Sequence, residues 1–147
     1  MVNLREARPS DVEAILGLIK ELAEYERAPE QVVNSVSELS SDLFDLKCCS
    51  AIVAEVDDSI VGFALYYTSY STWKGKCLYL EDLYVKPAMR AHGIGQQLFT
   101  EVVEIAKKSG YRRMDWQVLD WNEPALKFYA KNNAILDPEW INGRLFF

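Results

Sequence analysis

Apolar positions in the first third of the chain recur at helical spacing. Ile15, Leu18, Ile19 and Leu22 fall three and four residues apart and mark one face of a helix expected from about Asp11 to Arg27. Ser10 with Glu13 has the form of a capping box at its start, and Pro29 stops it. A second pattern of that form, Ser35 with Glu38, opens a shorter helix carrying Leu39, Leu43 and Leu46. The periodicity then changes to that of strands. Ala51–Val56 and Ile60–Tyr70 read as a hairpin around Asp57-Asp58-Ser59, and Cys77–Val85 reads as a further strand. Ile94, Leu98, Val102 and Ile105 mark a helix that stops at Gly110. Arg112–Leu119 alternates Met114, Trp116 and Val118 as a half-buried strand does. Asn122 can cap a last helix that carries Leu126, Phe128 and Tyr129, with Phe128 expected in the core and Asn133 in a left-handed cap. Arg144–Phe147 has the look of a final short strand. With the apolar start at Val2 and Leu4, the order βααβββαβαβ predicts an α/β sandwich around a mixed, mostly antiparallel sheet.

No repeat, low-complexity stretch or Pro/Gly/Ser-rich linker divides the 147 residues, so one domain spanning residues 1–147 is expected. No apolar run approaches the roughly 20 residues that span a bilayer, and the N-terminus turns charged within a few residues, against a signal peptide. Sixteen Lys+Arg against 22 Asp+Glu give a net charge of −6, which repels nucleic acid and attracts small cations. Three cysteines, Cys48, Cys49 and Cys77, suit a reduced, cytoplasmic compartment better than a disulfide framework. None has metal-ligand spacing with His92, the one histidine, and no metal is expected.

The segment from Leu80 to Gly95 is the most informative. A strand leads through a loop with two glycines, Gly93 and Gly95, directly into a helix N-terminus. Free amide N–H groups and the helix dipole favour an anion such as a phosphate there, and Arg90 adds a cation at the rim. No Gly-Lys-Ser/Thr follows, so this is not a P-loop, and a dinucleotide fingerprint would need a third glycine. Glu81 and Asp82 stand side by side in an otherwise apolar strand. A regular strand sends them to opposite faces, so only one would face a given cleft, and spacing leaves open which.

Arg90-x-x-Gly93-x-Gly95 after a strand, followed by Asn122-x-x-Ala125-x-x-Phe128-Tyr129, resembles the GNAT superfamily of N-acetyltransferases. Leu80-Glu81-Asp82-Leu83-Tyr84-Val85, Trp121-Asn122-Glu123-Pro124 and the first helix through Tyr25-Glu26 resemble its diamine (spermidine/spermine) acetyltransferases. Tyr70-Ser71-Thr72-Trp73-Lys74-Gly75 and Val118-Leu119-Asp120-Trp121-Asn122 look closest to the thialysine-acetylating branch. The likeness covers nearly the whole chain.

The resemblance implies helices on both faces of the sheet, with acetyl-CoA bound at a splayed strand pair. Main-chain atoms of Leu83, Tyr84 and Val85 would pair with the pantetheine arm. Arg90, Ala91, His92, Gly93, Ile94, Gly95 and Gln96 would hold the pyrophosphate. Asn122, Glu123, Pro124, Ala125 and Tyr129 would lie along the rest of the cosubstrate. Tyr129 corresponds to the general acid that protonates the departing thiolate, and Glu81 to the carboxylate that assists amine deprotonation. Tyr25, Glu26, Glu81, Asp115, Trp116 and Gln117 would contact a cationic amine, and a homodimer is implied. The expected reaction is direct acetyl transfer to a small diamine or lysine analogue. Spermidine/spermine acetylation is the alternative, and a non-catalytic CoA-binding module a more distant one. Cys77 is the cysteine to consider for a covalent route, though it has no partner histidine.

Overall fold

The computed structural model describes every residue from Met1 to Phe147. It falls into two compact units, Met1–Trp116 and Gln117–Phe147. The first holds the whole sheet: β1 (Asn3–Glu6), β2 (Ser50–Val56), β3 (Ser59–Ser71), β4 (Gly75–Val85) and β5 (Met114–Asp115), in spatial order β1-β2-β3-β4-β5. The first four are antiparallel, and β5 joins β4 in parallel. The tight β2–β3 turn works because Asp57 and Asp58 both accept positive φ, 48° and 63°, the twist that suits a two-residue hairpin.

Helices α1 (Val12–Tyr25) and α2 (Val36–Ser40, continued by a π-helical turn to Asp45) cover one face of the sheet. Ile15, Leu18 and Leu39 pack there on Val53, Phe63 and Leu65. Helix α3 (Ile94–Lys108) packs on β2, β3 and β4. It lies on the other face, since Gly62, next to Phe63 in β3, looks toward Leu98 of α3. The expected mixed, mostly antiparallel sheet with helices on both faces is therefore what forms. The second unit contains α4 (Glu123–Lys131), with Asn122 accepting from the Ala125 N–H at 3.3 Å and Asn133 in the left-handed cap at φ 63°. No helix is long and apolar enough to cross a membrane.

Several expectations are corrected. The Ser10–Glu13 capping box does not form. Asp11 organises the start of α1 instead, accepting from the Arg8 N–H at 2.8 Å and pairing both guanidinium nitrogens of Arg5 at 2.7 and 3.0 Å. A carboxylate with a fixed cation outcompetes a neutral hydroxyl for that place, and the pairing holds Asp11 below the usual carboxylate range. The strand expected over Arg112–Leu119 shortens to Met114–Asp115, because pairing with β4 lasts only for Leu78↔Met114 and Tyr79↔Asp115. No strand forms at Arg144–Phe147. Alternation marks a possible strand but supplies no neighbour, and Leu145, Phe146 and Phe147 stay exposed. Phe128 is only half-buried, whereas Tyr129 is the buried member of that pair.

Gly62 marks the tightest backbone approach. A Cβ there would stand 2.9 Å from the Tyr84 carbonyl oxygen and 3.2 Å from Val85 Cγ2. Gly62→Ala is expected to cost about 1–3 kcal/mol of stability. The loss would show as a lower urea midpoint with an unchanged denaturant slope.

Candidate active site

Strand β4 positions most of the candidate residues, and an irregularity in it decides where they point. Along β3 and β4 the register runs Leu65↔Asp82 and then Tyr66↔Leu80, so Glu81 has no partner on β3. This is a β-bulge, one extra residue in β4, and it reverses the in-out alternation beyond it. Tyr79 pairs with Tyr67, and Asp82 with Leu65. Directly opposed residues share a face, and Leu65 belongs to the α1 side of the core. Asp82 therefore points to the α1 face. Glu81 does too, since the Tyr67 hydroxyl donates to its Oε1 at 3.4 Å. The expectation that only one of the adjacent carboxylates could serve a cleft is thus corrected: the bulge turns both toward the same side.

A third acid joins them from α1. Glu26 is the C-terminal cap residue of that helix, where an acid gains nothing from the helix dipole. The end of α1 is pinned to the end of β4. Glu21 receives Lys86 Nζ at 2.7 Å and the Tyr84 hydroxyl at 3.2 Å. Burial, with the charge of Glu81, pushes the Glu26 carboxyl up. Asp82 moves furthest: burial first, then Glu81, then Glu26 push it up to about 7. Three carboxyl groups near enough to raise one another's pKa make a site that gains from a bound cation.

The other half of the candidate site is built for an anion. Beyond Tyr79 no strand pairs with the outer edge of β4. Of the three residues expected there, Tyr84 turns its carbonyl toward Gly62 of β3, and the Val85 carbonyl accepts from Arg90 Nε, so the main chain of Leu83 is what that edge leaves without a strand partner. The chain then turns through Pro87–Met89, Arg90 and Ala91 (φ 68°) into α3. Gly93 caps that helix at φ 74°, a left-handed conformation that favours glycine, and no side chain caps the first turn. The first intrahelical bond runs from the Gln97 N–H to the Gly93 carbonyl at 3.0 Å, so the turn before it presents N–H groups outward. Gly95 in this turn meets only Val85 at ordinary contact distance, which leaves its surface bare for a ligand. Uncapped N–H donors, missing Cβ atoms and a nearby guanidinium fit a pyrophosphate. Arg90 is held by the Val85 carbonyl at 3.0 Å and lies over the rings of Tyr84 and Tyr25, 5.3 and 5.5 Å from their centroids. His92 is exposed in the same loop.

The remaining sequence-derived residues are distributed differently. Asp115 shares the face of Tyr79 but is neutralised by Arg113 at 2.8 Å. Trp116 packs edge-on against Phe99 of α3, 5.5 Å between centroids, on the opposite face from the acidic group. Gln117 and Asn142 are hydrogen-bonded in the second unit, which also carries Asn122, Glu123, Pro124, Ala125 and the buried Tyr129. Cys77 is fully buried, its thiol donating to the Gly75 carbonyl at 3.4 Å, and presents no nucleophile at the acidic face. Sequence reasoning left open which of Glu81 and Asp82 serves the cleft, and it missed Tyr67 as their neighbour. The signal available was two adjacent charges inside an apolar strand, a pattern a bulge resolves.

A mostly antiparallel sheet of this order, whose fourth strand runs into a glycine-capped helix, defines an α/β class of fold with free N–H groups at the end of that strand. The chain belongs to the acetyltransferase (GNAT) family, whose family model matches residues 17–134. It is an amine N-acetyltransferase with acetyl-CoA as the acyl donor. The thialysine N-epsilon-acetyltransferase of Bos taurus is 43% identical over 142 residues, which cover 90% of this chain and 84% of that protein. The spermidine/spermine N(1)-acetyltransferase-like protein 1 of Homo sapiens is 35% identical over 141 residues, 90% of this chain and 20% of that protein. Among solved structures, an integron cassette protein from the mobile metagenome of V. cholerae superposes with a TM-score of 0.79 at 26% identity, covering 99% of this chain and 93% of that one.

The raised Asp82 carboxyl has a consequence for stability. The folded state holds that proton up to about pH 7, while the unfolded chain releases it near the ordinary aspartate value of 3.8. Between those limits the native state binds more protons, so this group's contribution falls as pH rises and levels off above 7. Asp82→Asn is expected to remove that slope and to raise stability at pH 8 by a few kcal/mol at most, on the order of the shift itself. Urea unfolding at pH 5 and pH 8 would measure both effects.

Proposed function

We propose that this chain transfers the acetyl group of acetyl-CoA to a primary amine of a small diamine or a thialysine-like lysine analogue, by direct attack with both substrates bound. The observation that carries the reading is the single face on which Glu26, Glu81 and Asp82 meet. A ligand with one reacting amine and a second cationic end matches that charge, and the thialysine-acetylating relative supports the same class. The spermidine/spermine-like relative supports longer polyamines as a second reading.

Residues 1–147 act in this reading as one N-acetyltransferase domain. Acetyl-CoA supplies the electrophilic acyl carbon and a thiolate leaving group. The first turn of α3, from Gly93 to Gln96, receives the pyrophosphate together with Arg90 and the Ala91–His92 backbone. The resemblance supports main-chain pairing of the pantetheine with the end of β4, at Leu83 to Val85, and a cosubstrate role for Asn122 to Ala125. An amine with a pKa near 10 arrives protonated, so a carboxylate must take its proton before attack. Glu81 does this directly or through water. Asp82, titrating near neutrality beside it, can hold or release a proton at working pH. Tyr129 returns a proton to the sulfur. Tyr25 and Glu26 receive the second amine, with Asp115 beside Tyr79 on the same face; Trp116, expected as a further contact, is turned to α3 and is not one of them. The resemblance to diamine acetyltransferases supports a homodimer as the working unit, and the three free cysteines suit a reduced compartment such as the cytoplasm.

A thiol-release assay across thialysine, lysine, putrescine and spermidine tests the reading, with the highest kcat/KM expected for thialysine or a short diamine. Tight CoA binding without acetylation of any amine would overturn it. Tyr129→Phe is expected to lower kcat about 100-fold with little change in acetyl-CoA affinity. kcat/KM for the amine should rise from about pH 6 toward 9, and Asp82→Asn should flatten the part of that rise near neutrality.

A further inference from the structure

Glu81 sits on the bulge without a Cα partner on β3, so the strand ladder does not fix the direction of its side chain. It is exposed, and a glutamate has several rotatable bonds to order. We propose that Tyr67 is a positioning residue for the acetyl transfer: its hydroxyl, reaching from β3, holds the Glu81 carboxylate on the acidic face in the orientation that receives the amine's proton. This rests on the proposed role of Glu81.

The donor is itself held in place. Tyr67 is directly paired with Tyr79, and the two rings stack with centroids 5.2 Å apart and planes 29° from parallel. An aromatic pair of this kind restricts the ring and aims its hydroxyl along one line, toward the next residues of β4. The 3.4 Å contact to Glu81 Oε1 is long, as contacts of catalytic groups are before a substrate is bound, and a cation on the site would draw it in. Partial burial, the charge of Glu81 and the hydrogen bond to it raise the Tyr67 phenol, so it remains a donor throughout the working range.

The charged neighbourhood explains why a neutral donor is needed there. Glu26 from α1 and Asp82 from β4 are acids and repel a third carboxylate. Asp115 on β5, beside Tyr79, is already paired with Arg113. A fixed cation in the same place would orient Glu81 equally well, but it would also cancel the field that attracts the amine. A phenol orients the carboxylate and leaves the charge of the site intact.

Tyr67→Phe tests this, because it keeps the stack on Tyr79 and removes only the hydroxyl. Expected are an unchanged melting temperature and acetyl-CoA affinity, a kcat about tenfold lower, and an acidic limb of the kcat/KM profile displaced upward. In a Glu81→Gln background the same substitution should cost nothing further. Wild-type kcat and pH profile in Tyr67→Phe, or an equal additional loss in the Glu81→Gln background, would overturn the proposal. If Glu81→Gln alone keeps full activity, the role of Glu81 falls and Tyr67 falls with it. If Glu81→Gln is slow and Tyr67→Phe is normal, only the positioning role is lost.

Discussion

The bulge at Glu81 is the constraint on which the rest of the site depends. In a regular antiparallel ladder, one residue along β4 means one change of face, and Glu81 and Asp82 would project to opposite sides of the sheet. Skipping one pairing between Leu65 and Tyr66 keeps Tyr79 and Asp82 on the same side although they are three residues apart. Asp82 then faces the α1 side of the core with Leu65, and Glu81 lies beside it within reach of Tyr67. A bulge sacrifices ladder hydrogen bonding at one position. What it contributes here is a local charge density that a regular strand cannot present on one face.

Two helix ends complete the arrangement, and their polarities are opposite. The C-terminal end of α1 carries Glu26, and its backbone carbonyls add to the negative potential. The N-terminal end of α3, capped by Gly93 alone, carries the positive end of its dipole. Strand β4 connects them, with its carboxylates toward the first and its outgoing loop toward the second. Arg90, lying over Tyr25 and Tyr84, ties the loop to the end of α1. A chain of net charge −6 thus separates its charge locally: acids gather on the α1 side of β4, and N–H groups with one arginine gather at the start of α3. Stability is set against this, since burial first, and then neighbours of its own sign, keep Asp82 at a pKa of about 7. That cost is the usual one for a site assembled around a ligand it must attract.

How far the sequence could be read differs from element to element for physical reasons. Helices α1 and α3 and the β2–β3 hairpin were legible because their signals are local: apolar spacing, a stopping proline, two aspartates that tolerate positive φ. Ser35 capping α2, with the Glu38 N–H donating at 3.2 Å, was legible for the same reason. The start of α1 was misread because Asp11 takes its partner from β1, and a neighbour in space outcompetes one in sequence. The strands expected at Arg112–Leu119 and Arg144–Phe147 shrank or did not form. A strand exists only where another offers its backbone, and alternation of side chains does not reveal that.

By itself the sequence determined the class of fold, the glycine-capped turn at Gly93 and the adjacent carboxylates in β4, because each rests on short-range chemistry written in consecutive residues. Only the tertiary structure decided which way those carboxylates point. Register between β3 and β4 is a property of two strands together, and one skipped pairing turns both acids to one face without changing a residue. The same holds for Tyr67, which is unremarkable in its own strand and meets Glu81 only because β4 bulges toward it.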